Sequence, residues 1–186
     1  YHFIMEKAWK AWSPTMFLGS NVWGKTIGIV GFGRIGRAMA QRARGFNMKI
    51  LYNKRAPLPQ EEEHLLGIQY RDIDDLLREA DFVTLHTPLT QETFHLINET
   101  RLRLMKPNAI LINTSRGQIV DEKALIEALK KGWIGGAGLD VFEKEPLPHD
   151  SELLELSNVT IVPHIASATK ETRFEMGEIA AQNLLS

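Results

Sequence analysis

The 186-residue sequence contains no cysteine, which excludes disulfides, thiolate metal ligands and thiol nucleophiles. This absence fits a reducing compartment, and we expect the protein to be cytoplasmic. Neither sign of charge is in excess, because the formal net charge at pH 7 is −1. The chain therefore has no general electrostatic attraction to nucleic acid or to an anionic membrane. Apolar runs stay below the roughly 18–20 residues that cross a bilayer, so we expect neither a membrane nor a nucleic-acid partner.

Short apolar runs and helical patterns alternate along the chain after residue 25. The predicted strands are Thr26–Val30, Lys49–Tyr52, Ile68–Tyr70, Phe82–His86, Ala109–Asn113, Gly135–Val141 and Val159–Val162. The predicted helices are Arg34–Gly45, Gln60–Leu66, Ile73–Glu79, Glu99–Met105, Asp121–Lys130, Glu152–Leu156 and Thr169–Leu185. Several of the strands are continuous apolar runs, which is typical of parallel strands covered on both faces. This alternation predicts an α/β fold, a doubly wound parallel sheet of the Rossmann type in three layers.

A Gly-x-Gly-x-x-Gly pattern joins the first predicted strand to the first long helix. Its glycines are Gly31, Gly33 and Gly36. In this setting the first permits a tight turn, the second lets the backbone approach a diphosphate, and the third lets the helix pack on the strand. The free N–H groups and the positive dipole end of such a helix bind phosphate. The pattern predicts a dinucleotide site, and the alternative is an ordinary glycine-rich turn.

The residues after the second strand bear on which dinucleotide binds. Sites for NAD usually carry an Asp or Glu there, which binds the ribose 2′-hydroxyl. Here the strand runs into Asn53, Lys54 and Arg55, which offer two cations and no carboxylate. The forked donors of Arg suit a phosphate. We therefore expect NADP(H) to be preferred, with NAD(H) possible; the alternative is that Lys54 and Arg55 are solvated loop charges.

Three polar residues follow the ends of later strands, namely Arg116, Glu145 and His164. Parallel topology would bring them to one edge of the sheet, where ligands bind. A guanidinium can bind a carboxylate and polarise the adjacent carbonyl, an imidazolium can donate a proton, and a carboxylate can orient the imidazole. The trio favours reduction of a carbonyl next to a carboxylate without a metal ion, although each residue alone could be a surface residue. We interpret the remaining loop and helix histidines as surface residues: His64, His95 and His149.

These motifs, with others in the same order, resemble one known family. The additional motifs are Leu85–Thr93, Leu104–Gly117, Val120–Asp121, Gly138–Phe142 with Glu145–Pro146, and Pro163–Ile165. Together they are similar to the cofactor-binding domain of the D-isomer-specific 2-hydroxyacid dehydrogenases. Within that family the chain resembles the glyoxylate/hydroxypyruvate reductases and the 2-ketogluconate reductases, several of which carry a basic segment where Asn53, Lys54 and Arg55 stand.

The resemblance implies roles for individual residues. It makes Arg116 the substrate-binding arginine, His164 the acid/base and Glu145 its paired carboxylate. The residues implied beside the dinucleotide are Arg34 and Ile35 at the diphosphate, Thr87, Pro88 and Thr93 at the adenosine half, and Thr114, Ser115 and Asp140 at the nicotinamide end.

The resemblance also implies how the chain is organised. Family members carry a second, flavodoxin-like substrate domain, which we expect to be absent from this chain. Residues 1–12 are expected to begin an interdomain crossover helix, since Met5, Trp9 and Trp12 have helical spacing. Residues 13–186 are expected to form the dinucleotide-binding domain and to end in the return helix. Cofactor domains of this family form a dimer contact, so we expect a homodimer.

We therefore expect an NADP(H)-preferring oxidoreductase that reduces glyoxylate, hydroxypyruvate or 2-ketogluconate to the D-2-hydroxyacid. Two alternatives stay open. An NAD-linked enzyme of the phosphoglycerate dehydrogenase type would favour an acidic residue at the position of Asn53. A dinucleotide-sensing corepressor or scaffold would use the fold for dimerisation and could keep Arg116, Glu145 and His164.

Overall fold

A parallel sheet organises the chain in the computed structural model, which describes residues 2–185. Within that range seven parallel strands lie in the order β3-β2-β1-β4-β5-β6-β7. They are β1 Thr26–Val30, β2 Lys49–Asn53, β3 Ile68–Tyr70, β4 Phe82–Leu85, β5 Ile110–Asn113, β6 Gly136–Leu139 and β7 Val159–Ile161. The strand order runs outwards in both directions from β1, which confirms the predicted doubly wound topology.

Helices cover both faces of the sheet. They are α1 His2–Met5, α2 Arg34–Gly45, α3 Gln60–Leu66, α4 Ile73–Glu79, α5 Glu99–Leu102, α6 Glu122–Lys130 and α7 Lys170–Leu185, with 3₁₀ turns at Gly117–Ile119 and Glu152–Glu155. On β1, Ile27 and Ile29 are buried in a core that includes α2. On β4, Val83 and Leu85 point into a second core that includes α4. Because neighbouring side chains of a strand point to opposite faces, these two cores lie on the two sides of the sheet, in three layers.

The N-terminal helix is shorter than the sequence pattern predicts. α1 ends at Met5, and Lys7 has a φ of 56°, which takes the backbone out of the right-handed helical region. Trp9 and Trp12 lie beyond the helix with 55% and 75% of their surface exposed. A short helix is marginal in water unless its apolar face packs on a partner. The prediction of a helix through residue 12 is therefore wrong for the described residues, and its first residue, Tyr1, lies outside them.

Several of the remaining boundaries agree with the predictions, and the others differ by a few residues. α5 ends at Leu102 instead of Met105, and the predicted helix 152–156 is a 3₁₀ turn. At the other end of the chain the predicted helix is present as α7. Ser186, the last residue of the predicted domain, lies outside the described residues. Within residues 2–185, no helix is both long enough and apolar enough to cross a membrane.

We predict that Gly36→Ala destabilises the fold and that Gly45→Ala, in the same helix, does not. A methyl group at Gly36 would overlap the carbonyl oxygen of Gly31 and lie 3.2 Å from Cγ2 of Ile29, so α2 would have to move away from β1. At Gly45 nothing lies within 4 Å, and alanine is the better helix former. Urea unfolding should show a loss of about 1–3 kcal/mol for Gly36→Ala; equal stability of the two variants would contradict this packing.

Candidate active site and dinucleotide groove

The turn between β1 and α2 brings two strand ends into close contact. Gly31 has a φ of 94°, and a Cβ there would lie 2.6 Å from the carbonyl carbon and oxygen of His86, which follows β4. Glycine tolerates both the positive φ and the close approach. The carboxyl ends of β1 and β4 therefore line one cleft, at the place where open α/β sheets bind ligands.

The N-terminus of α2 is exposed at this cleft. Its N-cap, Gly33, makes no side-chain capping bond, and a Cβ there would meet nothing within 4 Å. Arg34 and Ile35 are exposed beside it. A groove of about 640 Å³ runs along these residues to Met39 and His86. Since the first N–H groups of a helix have no intrahelical partner, this end of α2 offers donors to an anion.

A second, independent observation supports a polar ligand beside this groove. The hydroxyl of Thr87 is buried and has no hydrogen-bond partner within the described part of the chain. A buried polar group without a partner costs about 1–3 kcal/mol, and a polar group of a ligand would remove that cost. Three features therefore lie close together: space at Gly33, free N–H donors at the start of α2, and an unused hydroxyl after β4.

The three predicted residues at the end of β2 differ in the contacts that they make. Nδ2 of Asn53 donates to the carbonyl oxygen of Arg71 at 2.9 Å, so this amide helps to hold the segment after β3. Lys54 is half-buried and Arg55 is exposed. Neither makes a hydrogen bond or an ion pair with the residues that the structure describes. Both cations are therefore without a direct bond, although the charge of Arg55 acts on the nearby carboxylate of Glu92.

The loop that carries these cations is closed by Tyr52. Its phenol donates to Oε1 of Glu63 at 2.6 Å and accepts from the N–H of Leu58 at 2.7 Å. Burial, together with the bond to Glu63, raises the pKa of Tyr52 to about 12. The neighbouring carboxylate of Glu62 is paired with Arg37 at 2.6 Å. Two acidic side chains at the start of α3 are thus already occupied.

Two of the other predicted contact residues use their hydroxyls inside the fold. Oγ1 of Thr93 donates to the carbonyl oxygen of Pro88 at 2.6 Å, and Oγ of Ser115 donates to that of Leu85 at 2.6 Å. Pro88 and Thr114 are exposed at the same edge. The observed contacts of Thr93 and Ser115 shape the loops, and the roles of these four residues towards a dinucleotide stay predictions.

His164 and Glu145 form a hydrogen-bonded pair at this edge. Nδ1 of His164 lies 2.7 Å from Oε2 of Glu145, and because an ionised carboxylate only accepts, Nδ1 carries a proton. Oε1 of Glu145 accepts from the N–H of Phe142 at 3.1 Å. The hydrogen bond from His164, with that from Phe142 and the charge of Arg116, holds the pKa of Glu145 below its ordinary value. The imidazole Nε2 is left for another partner.

Arg116 stands at the end of β5, and its charge reaches this pair. Its exposed guanidinium donates from Nη1 to the carbonyl oxygen of Ser115 at 2.6 Å, which leaves further donors of the fork for a ligand. Nδ2 of Asn113 donates to the main-chain carbonyl of Arg116 at 2.8 Å and fixes the turn. Arg116, Glu145 and His164 thus follow β5, β6 and β7 at one edge of the sheet.

Asp140 has contacts that the sequence analysis did not identify. Its side chain is buried, with Oδ1 accepting from the N–H of Ile165 at 2.6 Å and Oδ2 from that of Ala166 at 2.8 Å. These bonds hold the segment that follows His164, whose φ is 53°. The predicted contact of Asp140 with the nicotinamide stays a prediction, and its observed role is to position the histidine. No local pattern distinguishes such an aspartate from one that faces a ligand.

The chain was compared with known proteins. The family model of the D-isomer-specific 2-hydroxyacid dehydrogenases, NAD-binding domain, matches residues 1–166. This chain belongs to that family. It is 57% identical to the glyoxylate reductase of Thermococcus litoralis over 188 residues, which cover 99% of this chain and 56% of that protein. The family expected from the sequence motifs is thereby confirmed.

Solved structures of family members have the same fold. A glyoxylate reductase from Paecilomyes thermophila superposes with a TM-score of 0.89 at 40% identity, covering 100% of this chain and 55% of that one. A D-lactate dehydrogenase with NAD+ from Lactobacillus jensenii gives a TM-score of 0.84 at 36% identity, covering 97% and 58%. The Rossmann-type fold is confirmed, and the chain spans little more than half the length of each of these relatives.

We predict that the Glu145–His164 pair stabilises the fold at neutral pH and loses this effect in acid. Because the pKa of Glu145 is lowered in the folded state, its contribution is fully present above the ordinary value of about 4.3 and is lost as the pH falls through the folded value. At neutral pH the free energy of unfolding of the unaltered chain should exceed that of the Glu145→Gln variant by less than about 1 kcal/mol, since the pair is partly exposed.

Urea unfolding of the chain and of Glu145→Gln, at about pH 7 and about pH 3, measures this difference. Glu155→Gln serves as the control, because this exposed carboxylate makes no hydrogen bond with the described residues. A difference for Glu145→Gln that is as large at the lower pH as at the higher one would contradict the prediction.

Proposed function

We propose that the chain is the cofactor-binding part of an NADP(H)-preferring oxidoreductase that reduces a small 2-oxoacid to the D-2-hydroxyacid. The observation that carries the proposal is the 2.7 Å pair of His164 and Glu145, at the sheet edge that also holds Arg116 and the glycine turn. The similarity to glyoxylate reductases supports it. Residues 1–12 and α7 would lead to a substrate domain outside this chain.

The dinucleotide would be held by residues at the ends of β1, β2, β4, β5 and β6. Its diphosphate would lie on the N–H groups of Arg34 and Ile35, beside Gly31 and Gly33. The buried hydroxyl of Thr87, which has no partner among the described residues, would bind a polar group of the dinucleotide. When bound, a reduced nicotinamide supplies a hydride to a carbonyl carbon.

The side chains of this chain would do the remaining work. The guanidinium of Arg116 binds the substrate carboxylate and polarises the neighbouring carbonyl. His164 donates a proton from Nε2 to the carbonyl oxygen, because Nδ1 is committed to Glu145. The carboxylate of Glu145 accepts from Nδ1 and orients the imidazole. The reduced product is a 2-hydroxyacid.

The preference for NADP(H) rests on Lys54 and Arg55. Neither cation makes a hydrogen bond or an ion pair with the described residues, although the charge of Arg55 acts on the carboxylate of Glu92. The carboxylates of Glu62 and Glu63 are engaged by Arg37 and Tyr52. A 2′-phosphate would therefore meet two cations that have no direct bond. The alternative, an NAD-linked enzyme, is supported by the NAD-binding description of the family domain and by the relative solved with NAD+.

The substrate would be glyoxylate, hydroxypyruvate or 2-ketogluconate, of which the first is supported by the names of the relatives.

We further propose a cytoplasmic homodimer that forms through the cofactor domain. Its support is a set of exposed apolar side chains near the start of the cofactor domain: Phe17, Leu18 and Trp23. Aromatic side chains are enriched at protein interfaces.

We predict that the chain binds NADPH more tightly than NADH and that Lys54→Ala with Arg55→Ala removes the difference. The two cations would interact with the 2′-phosphate, which NADH lacks. Titration of nicotinamide fluorescence gives both dissociation constants. Lys10→Ala with Lys123→Ala is the control for a loss of two charges at exposed positions that do not line the groove. Tighter binding of NADH by the unaltered chain would contradict NADP(H) preference and favour the NAD-linked alternative.

We predict that the full-length polypeptide containing this chain reduces glyoxylate or hydroxypyruvate and that His164→Gln lowers kcat by about 10²–10⁴-fold. The proton donor would be lost while the dinucleotide groove stays intact. Oxidation of NADPH followed by absorbance measures turnover, and His149→Gln, at an exposed loop position, is the control. Dinucleotide binding without turnover of any of the three 2-oxoacids would contradict the enzyme and favour a dinucleotide-sensing corepressor or scaffold.

A further inference from the structure

His95 is not the residue on a polar helical surface that its sequence setting predicts. It lies outside any helix, with a φ of 47°, and its ring stacks on Phe94 with centroids 4.0 Å apart. Nε2 lies 2.8 Å from Oε1 of Glu143, and Nδ1 lies 3.9 Å from Oδ2 of Asp121, the N-cap of α6. The ring therefore bridges the loop after β6 and the start of α6, and 32% of its side chain is exposed.

Glu143 carries this contact into the loop that contains Glu145. Its Oε1 also accepts from the N–H of Glu122, and its own N–H donates to Oε2 of Glu122, both at 3.1 Å. Its carbonyl oxygen accepts from Nε2 of Gln118 at 2.9 Å, and Gln118 in turn accepts from the N–H of His95 at 2.8 Å. The main chain and the side chain of Glu143 are therefore both fixed by residues from outside its loop.

Direct backbone packing adds to this constraint. A Cβ at Gly117 would overlap the carbonyl group of Phe142, so the segment after Arg116 lies tightly against the loop before Glu145. Phe142 in turn donates its N–H to Oε1 of Glu145. A step of two residues spans at most about 7 Å. With Glu143 fixed, the Cα of Glu145 therefore stays within about 7 Å of that of Glu143.

The cluster of His95, Asp121 and Glu143 also contains residue types that bind divalent metals, with donor atoms within 4.8 Å of one another. Its hydrogen bonds argue for a different use. Nε2 of His95 needs its proton to bond to Glu143, so this nitrogen cannot bind a metal while that bond is present. The Oε1 of Glu143 already accepts from two N–H groups. The cluster is therefore organised as a hydrogen-bonded support.

We propose that His95 and Glu143 are positioning residues that hold the loop carrying Glu145 and so keep Glu145 in contact with His164. The inference deepens the proposed function, on which it rests, since the pair it positions is the acid/base pair there. Neither residue touches the substrate or the dinucleotide in this account. Both act through Glu145.

The test follows the ionisation of Glu145 in the chain labelled with ¹³C at its glutamate carboxyls. In the unaltered chain the bond from His164 lowers the pKa of Glu145. Glu143→Ala removes the side-chain bonds to Glu122 and His95, and the titration midpoint of Glu145 should rise towards the ordinary glutamate value. Glu143→Gln keeps an acceptor oxygen and should keep most of the lowering.

The matched control is Lys144→Ala, in the same loop between the two glutamates. Lys144 is exposed and makes no hydrogen bond or ion pair with the described residues, so the midpoint of Glu145 should not change. His95→Ala is the second variant, and it should raise the midpoint by less than Glu143→Ala. It leaves the contacts of Glu143 with Glu122 and Gln118 in place.

A wild-type midpoint for Glu145 in Glu143→Ala and His95→Ala, both folded by circular dichroism, would overturn the proposal. An equal rise in Lys144→Ala would also overturn it, because any change in the loop would then have the same effect. If Glu143→Ala does not fold, His95→Ala decides alone. The titration needs neither dinucleotide nor substrate, so failure to reduce any 2-oxoacid would remove the proposed function and leave this result intact.

Discussion

The geometry of the candidate site depends on the hydrogen bonds of one buried carboxylate, that of Asp140. A buried charge is costly unless it is hydrogen-bonded, and here the two oxygens accept from the N–H groups of Ile165 and Ala166. The carbonyl oxygen of Asp140 accepts from the N–H of His164 at 2.9 Å, and the N–H of Asp140 donates to the carbonyl oxygen of Asn113 in β5. The left-handed backbone of His164, which costs about 1–2 kcal/mol, is held by these bonds. The direction of the imidazole is thus set by the sheet itself.

Much of the fold could be predicted from the sequence, because apolar periodicity reports which residues are buried. The structure has the predicted bounds of Thr26–Val30, Arg34–Gly45 and Ile73–Glu79. The position of the polar trio also followed, since residues after parallel strands meet at one edge whatever their separation along the chain. This argument needs the topology and no knowledge of individual contacts.

Contacts between loops could not be predicted in the same way. His95 and Glu143 are 48 positions apart, and no periodicity links a turn residue to a loop residue at that distance. A helical spacing at Trp9 and Trp12 was equally uninformative, because the pattern describes an apolar face and not the partner that would stabilise it. The sequence therefore identified the residues at the strand ends and missed the contacts that support them.

The acidic residues around the site differ in burial and in the hydrogen bonds that they accept. Burial raises the pKa of Glu122. The carboxylate of Glu122 accepts a hydrogen bond from the backbone N–H of Glu143. Glu145 is more exposed and receives donors from His164 and Phe142, which lower its pKa, so it stays ionised beside the imidazole. Exchanging these environments would favour protonation of the carboxylate that the histidine needs charged. Supporting carboxylates can therefore be buried, whereas the carboxylate paired with the histidine has to keep donors and water around it.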